Sequence, residues 1–300
     1  MLPAQPPRPA DDNATRRESD EEQKEASSFL TQVLERVDKL AQLSDEGYFD
    51  VENESSLGLD NRVLRPLGMS SSAQMGIVSA IDHLRTIAIV VRAKSLPYVA
   101  LFSLLRSAIE TSSVAIYLLE DDSRVVRAQR LLAAEYQEIK DREKSQRALG
   151  QPAVDRNAAE SLLRTALSGY PSAWTWGDVT KSHTTITTKV TAASAQVEIF
   201  TRAGRTSTSI AGLWQLFSGV THARSYAVQT VLDREEMGYN PETGVVDIYF
   251  TTGVRSLTSS LLITLDVVDA AIHMYGKRAR AFTNQPEDTE LLRQLTDEDL

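Results

Sequence analysis

Cysteine is missing from the 300-residue chain altogether. That absence excludes disulfides, iron–sulfur clusters, thiolate metal sites and cysteine nucleophiles together. A chain held by packing alone suits a reducing compartment, so a cytoplasmic location is expected. Histidine is scarce, at four residues, and none has Glu three positions before it, so the di-iron bundle signature is missing. Asp266, Asp269 and His273 share one side of a late helical stretch and could offer three ligands, but a solvated face is the simpler reading and no metal is expected. Neither a Walker A loop nor a G-x-G-x-x-G after a strand occurs, which argues against ATP- or NAD-dependent chemistry and leaves no cofactor to expect. The first 25 residues, MLPAQPPRPADDNATRRESDEEQKE, have no apolar stretch of the kind a secretory signal needs.

Aromatic residues are also few, at 6%, while the hydrophobic fraction of 42% is ample for a core. The net charge of −9 sits mostly at the ends: residues 1–26 hold seven acids and four bases, and residues 284–300 hold six acids and one base. The body between them is close to neutral, so the acidic total neither supports nor excludes a nucleic-acid partner.

Four prolines within the first nine residues, then a charged run, predict a disordered tail over 1–24. A single helical domain is expected over 25–283, with a loose acidic tail over 284–300. Within the domain, apolar periodicity predicts helices near 26–44, 72–94 and 96–119, joined in part by a long connection over 45–71. Ser95 is the expected N-cap of the third, with Pro97 in its first turn. A charged helix follows over 124–148, stopped by Gly150 and Pro152, then a shorter one from an Asp155 cap to Leu167. Residues 170–180 read as a loop carrying Trp174 and Trp176, and 181–201 as a Thr-rich helix. A helix from a Ser209 cap to about Glu236 comes next, then a short hairpin near 239–251, then a last core helix over 253–275 ended by Gly276. The fold class is thus all-α, a bundle of about seven or eight helices with a minor β-hairpin.

Residues 96–120, LPYVALFSLLRSAIETSSVAIYLLE, form the most apolar long run. Its length would span a bilayer, but Arg106 and Glu110 near its centre would each cost roughly 2.5–3.5 kcal/mol there. The run at 257–275 contains Asp266, Asp269 and His273. Both read as buried helices of a soluble body, and no membrane is expected. On a helical wheel Val99, Ser103, Arg106, Glu110, Ser113 and Tyr117 fall on one narrow stripe, alternating four and three apart. Small hydroxyl residues with one ion pair suggest a helix–helix seam rather than a solvated face. A matching stripe lies in the later helix: Ala211, Gln215, Ser218, His222, Ser225 and Gln229. The two are expected to face each other, forming a polar network of Arg106, Glu110, Ser218 and His222. As chemistry, Glu110 could be a general base or ligand contact, His222 an acid/base, and Ser218–His222 a nucleophile and base, although no oxyanion loop accompanies them. As structure, the same groups fix helix register.

The segments LFSLLRSAIETSSVAIYLL and LFSGVTHARSYAV, about a hundred residues apart, resemble a broad set of bacterial helical proteins that pair an R-x-x-x-E helix with a later S-x-x-x-H helix. That set resembles the HEPN superfamily of nucleic-acid-associated proteins. The resemblance implies metal-independent action on RNA, in phage defence or a toxin system, with His222 and Arg224 near the site; together with Glu110, read as a general base above, they are the catalytic candidates. The HEPN ribonuclease motif is R-x(4–6)-H; here Gln215, Leu216 and Phe217 occupy the arginine positions before His222, and the nearby Arg224 follows it.

In the 124–148 helix most bases alternate with acids, as on a salt-bridged exposed face, but Arg124, Arg127 and Arg130 have none between them and are the candidate phosphate contacts. The expected function is a non-enzymatic helical scaffold or binding module, with a homo-oligomer or a protein as partner. Divergent HEPN-like action on RNA is the alternative.

Overall fold

The computed structural model describes residues 17–45, 48–170, 174–182, 184–200, 209–240 and 242–281. It is an all-α bundle with one minor hairpin. Eleven helices are present among the described residues: α1 (Asp20–Asp45), α2 (Ser56–Val63), α3 (Met69–Arg92), α4 (Ala100–Leu119), α5 (Arg124–Ala148), α6 (Arg156–Leu167), α7 (Trp176–Lys181), α8 (Ile186–Phe200), α9 (Ile210–Thr221), α10 (Ser225–Val231) and α11 (Val254–Ala279). Two antiparallel strands, β1 (Asp233–Asn240) and β2 (Val245–Thr251), separate the last two.

The apolar run at 96–120 is the hub. As α4 it packs against α3, α5, α8, α9 and α11 and buries eleven of its residues. α3, α4 and α11 are each long and apolar enough to cross a membrane by length and composition. In the fold they lie against one another, with α1 laid over α3 and α11, and their apolar side chains belong to one contiguous core cluster. α3 and α4 approach closely because Gly76 has no side chain: a Cβ there would meet the Thr111 carbonyl at 2.6 Å.

Several boundaries differ from those the sequence suggests. α1 begins six residues early, because Ser19 and Glu22 form a reciprocal capping box; the Ser19 amide donates to Glu22 Oε2 at 2.9 Å and the Glu22 amide to Ser19 Oγ at 3.3 Å. The connection at 45–71 contains α2, capped by Ser55. α4 starts at Ala100 rather than near Ser95, since Pro97 disfavours helical backbone at Leu96 and the chain turns once more before entering the helix. Part of the tryptophan-bearing loop is helix α7, closed by a Thr175–Asp178 capping box. α11 runs through Gly276 to Ala279. Asp155 and Ser209 cap α6 and α9 as expected, and Ser123 caps α5. The hairpin starts at Asp233, six residues before the expected site. Residues 203–208, His183, the first sixteen residues of the N-terminal tail and the whole C-terminal tail lie outside the described residues.

The largest difference is at 222. The expected helix from 210 to 236 is two short helices with a break at His222–Arg224, followed by β1. α9 ends in a Schellman turn: the Ala223 amide donates to the Val220 carbonyl at 2.9 Å and the Arg224 amide to the Gly219 carbonyl at 2.8 Å. Ala223 takes the left-handed conformation this requires, with φ +53. An alanine there gives no sequence signal of a stop, because the position usually belongs to glycine.

Candidate functional site

The polar stripe of α4 is covered, as its small hydroxyl residues imply, but by different partners. Arg106 Nη2 and Glu110 Oε1 are 2.7 Å apart and both side chains are mostly buried. Glu110 Oε1 also accepts from the indole Nε1–H of Trp214 on α9 at 2.9 Å, and the Arg106 guanidinium lies 5.9 Å from the Trp214 ring centre. One turn earlier, the Ser103 and Thr221 hydroxyls share a hydrogen bond of 3.1 Å. At the other end Tyr117 and Thr184 share one of 3.0 Å. Trp214 and Thr221 of α9 bond directly to this stripe, so Arg106 and Glu110 serve as an interhelical clasp.

His222 is not part of it. The Schellman turn carries His222 and Arg224 out to the solvent, where both are exposed, and Ser218 is only half-buried on α9. The expected Arg106–Glu110–Ser218–His222 network is therefore replaced by Arg106–Glu110–Trp214. The physical cause is the break, which rotates everything after residue 221 off the stripe that a continuous helix would have kept.

The α5 arginines are drawn inward. Arg127 is fully buried, and all five of its N–H groups have acceptors. Its Nε and Nη2 donate to Asp60 Oδ2 at 2.9 and 2.6 Å, Nη2 also to Ser56 Oγ at 2.9 Å, and Nη1 to the carbonyls of Asp121 and Asp122 at 2.8 and 3.0 Å. Arg124 Nε donates to Asp60 Oδ1 at 2.7 Å. Arg130 reaches the Tyr117 carbonyl and Glu120, and its guanidinium lies over the Tyr117 ring at 4.2 Å. From α11, Arg278 donates to the carbonyls of Leu119, Glu120 and Asp121. These cations satisfy the orphan carbonyls at the C-terminus of α4, where the helix dipole favours positive charge. Arg127 has no surface to offer a phosphate, and Arg124 and Arg130 are committed to carboxylates. Asp269 is likewise paired, with Arg36 of α1, so this side of α11 is a helix contact rather than a solvated face.

A groove of about 660 Å³ opens between α3, α4, α5 and the N-terminal part of α8. Met75, Gly76, Thr111 and Val114 line it from α3 and α4. Glu135, Glu138 and Asp141 line it from α5, on one helical face, together with Arg142. Lys189 closes it from α8. Burial pushes the Glu135 carboxyl above the usual carboxylate range, opposed by a 3.3 Å hydrogen bond from Ser72. Burial holds the Lys189 amine below the usual lysine range, opposed by the charge of Glu138. Among the described residues that amine has no hydrogen bond and no ion pair. A concave site in which a desolvated acid and a desolvated base stand on facing walls is a recognised mark of a binding or reaction site.

Neither residue stood out in the sequence. Glu135 was one acid among several on a mixed helix. Lys189 did carry a signal: it is the sole Lys, Arg, Asp or Glu between Ser182 and Val197, placed in an otherwise Thr- and Ala-rich helix. The tryptophans are structural anchors. Trp176 packs edge-on against Tyr136 at 5.6 Å with the Arg164 guanidinium 4.0 Å from its ring, and Trp174 is packed against the core. No family model, no curated protein and no solved structure matches this chain.

Proposed function

We propose that the chain is a helical binding module whose ligand lies in the groove between α3, α4, α5 and α8, with the Arg106–Glu110–Trp214 clasp structural. The observation that carries this reading is the Lys189 amine, half-buried and without a hydrogen-bonding partner among the described residues, on the wall opposite three carboxylates. A ligand that brings an anionic group to Lys189 and a cationic group to Glu135, Glu138 and Asp141 neutralises both walls at once, which fits a small zwitterion of amino-acid type. The apolar and hydroxyl-bearing floor suits its carbon chain. The proposed setting is the cytoplasm, on the ground that the Arg106–Glu110 pair midway along α4 would be costly inside a bilayer.

The test is a thermal-shift series with free lysine, putrescine and succinate on wild type and Lys189→Met. The reading expects lysine to raise the melting temperature of wild type, putrescine and succinate to do so less, and the variant to lose the response. No shift with any probe, or an equal shift in the variant, refutes it.

The second reading is a divergent HEPN-like protein acting on RNA. It is favoured by one observation: His222, Arg224 and Tyr226 are all exposed around a single turn, with Tyr226 at 60% relative exposure, where a base could stack and a phosphate be contacted. Because His222 contributes nothing to the core, His222→Ala leaves the fold intact. Growth arrest or RNA cleavage by wild type that is lost in this variant supports the RNA reading, and its absence in both removes it.

A further inference from the structure

The hairpin stands apart from the bundle. β1 and β2 form a sheet of only two strands, an arrangement that is marginal in water by itself. It also exposes large apolar side chains: Met237 at 67%, Tyr239 at 41%, Val245 at 54% and Tyr249 at 57%.

The two outer edges differ. β1 begins Asp-Arg-Glu-Glu, its register slips between Glu236 and Gly238, and the chain at Arg17 and Glu18 lies along it. Arg17 Nη1 pairs with Glu235 Oε2 at 2.8 Å, and the Glu18 amide donates to Asp233 Oδ2 at 3.3 Å. Charge, a bulge and a covering segment are the devices that block strand addition at an edge. β2, Val-Val-Asp-Ile-Tyr-Phe-Thr, carries a single charge, no proline, no glycine and no bulge on its own side, and among the described residues no backbone hydrogen bond joins its outer edge to another segment.

We propose that the free edge of β2 pairs with β2 of a second copy of this chain, antiparallel about a two-fold axis at Ile248, giving a four-stranded sheet ordered β1-β2-β2-β1. The strand is its own complement in this register. Asp247 falls opposite Tyr249 of the second copy, Val246 opposite Phe250, and Val245 opposite Thr251, so the one acid per strand never faces its own image. Residues 246, 248 and 250 stay on one face throughout. On that face Phe250 is already packed against the core, so pairing extends an apolar layer across the axis. A different protein strand would have to supply this alternation, whereas a second copy has it by construction. The blocked β1 edges then end the sheet at four strands, which makes a closed dimer rather than a fibre.

The test is analytical ultracentrifugation of the full chain with two substitutions at one exposed position. Wild type is expected to sediment at twice the 33.1 kDa chain mass. Tyr249→Asp sets carboxylates opposite each other at two symmetric places and is expected to weaken the dimer by about tenfold or more. Tyr249→Lys sets an amine opposite Asp247 and is expected to keep it. Tyr249 is largely exposed, so both variants fold. A monomeric wild type at about 100 μM, well above an ordinary dimer constant, overturns the proposal; so do two variants that dimerise equally, or a dimer lost in the lysine variant and kept in the aspartate one.

Discussion

Removing the Asp60 carboxylate is the sharpest test of how α4 is held. Asp60 is 1% exposed and Arg127 is fully buried, so Asp60→Ala leaves a guanidinium in the core with two of its N–H bonds, to Oδ2, unmade. It also strands Arg124, which is only partly exposed. Breaking one side of a buried, hydrogen-bonded pair costs about 3–5 kcal/mol. In a chain of this size each kcal/mol lowers the melting temperature by about 2 °C, so the expected fall is about 6–10 °C. Arg62→Ala is the control: its pair with Glu54 is formed at 3.0 Å but both side chains are well exposed, and the expected cost is under about 1 kcal/mol. Removing both charges at once, Asp60→Leu with Arg127→Met, should cost less than the sum of the two single losses, because neither charge is then left alone. Circular dichroism melts of wild type, Asp60→Ala, Arg62→Ala, the double variant and its two single variants decide the matter. A melting point for Asp60→Ala within about 2 °C of wild type, the size of the exposed-pair control, would mean that the C-terminal end of α4 does not depend on this pair, and the reasoning fails.

Three further outcomes follow from particular positions. Ala223→Gly relieves left-handed strain at φ +53 and is expected to raise stability by about 0.5–1 kcal/mol in a denaturant titration. Tyr275→Phe removes the buried hydroxyl that donates to the Phe49 carbonyl at 2.9 Å, while keeping the edge-on ring contact at 5.2 Å; the expected loss is about 1–2 kcal/mol, with no change in near-ultraviolet ring environment at Phe49. Tyr275 itself, pushed up to about 12 by burial, should stay un-ionised in an absorbance titration until well above the ordinary tyrosine range. For the groove, the folded state holds the Glu135 proton more tightly than the unfolded state, so wild-type stability falls as pH rises from the ordinary 4.5 toward the raised value, and Glu135→Gln removes that fall. Lys189 has the opposite sign. The unfolded state holds its proton more tightly, so stability rises as pH climbs from the lowered value to the ordinary 10.5, and Lys189→Met flattens that rise.

How far the sequence could be read depended on whether a feature is local. The core helices were legible because apolar spacing alone places α1, α3, α4 and α11, and Leu101, Leu105 and Ile109 are all fully buried where that spacing puts them. The α4 seam was legible for the same reason: small hydroxyl residues around one ion pair imply cover. Its partner was not, because choosing Trp214 over His222 depends on a helix stop at an alanine in left-handed conformation. Asp60 was hidden in a stretch that looked like a linker, and its value comes from Arg127, 67 residues away. The α5 arginines were misjudged by the same blindness to distance. A run of bases without interspersed acids looks free in sequence, yet Asp60, Glu120 and three chain carbonyls reach it from elsewhere. The groove needed three dimensions entirely, since its walls come from four helices.

The charges of this fold divide into two kinds. Around the C-terminus of α4, Arg127, Arg130 and Arg278 are each met by several acceptors, and the C-terminal dipole works in their favour. In the α4 seam, Glu110 accepts from both Arg106 and Trp214. Such groups stabilise the bundle, and each is held by at least one protein partner that a ligand would have to displace. Glu135 and Lys189 are the other kind. Both are desolvated in a direction that opposes their charged forms, and a fold selected only for stability would have an apolar residue or a tighter pair at either place. Stability experiments therefore separate structure from function here. Substitutions in the arginine cluster and the seam should all lower the melting temperature. Glu135→Gln and Lys189→Met should raise it near neutral pH, because each removes a desolvation cost, while abolishing whatever the groove binds. A destabilising effect of both groove substitutions would place these residues with the arginines, as parts of the scaffold, and leave the groove without a role.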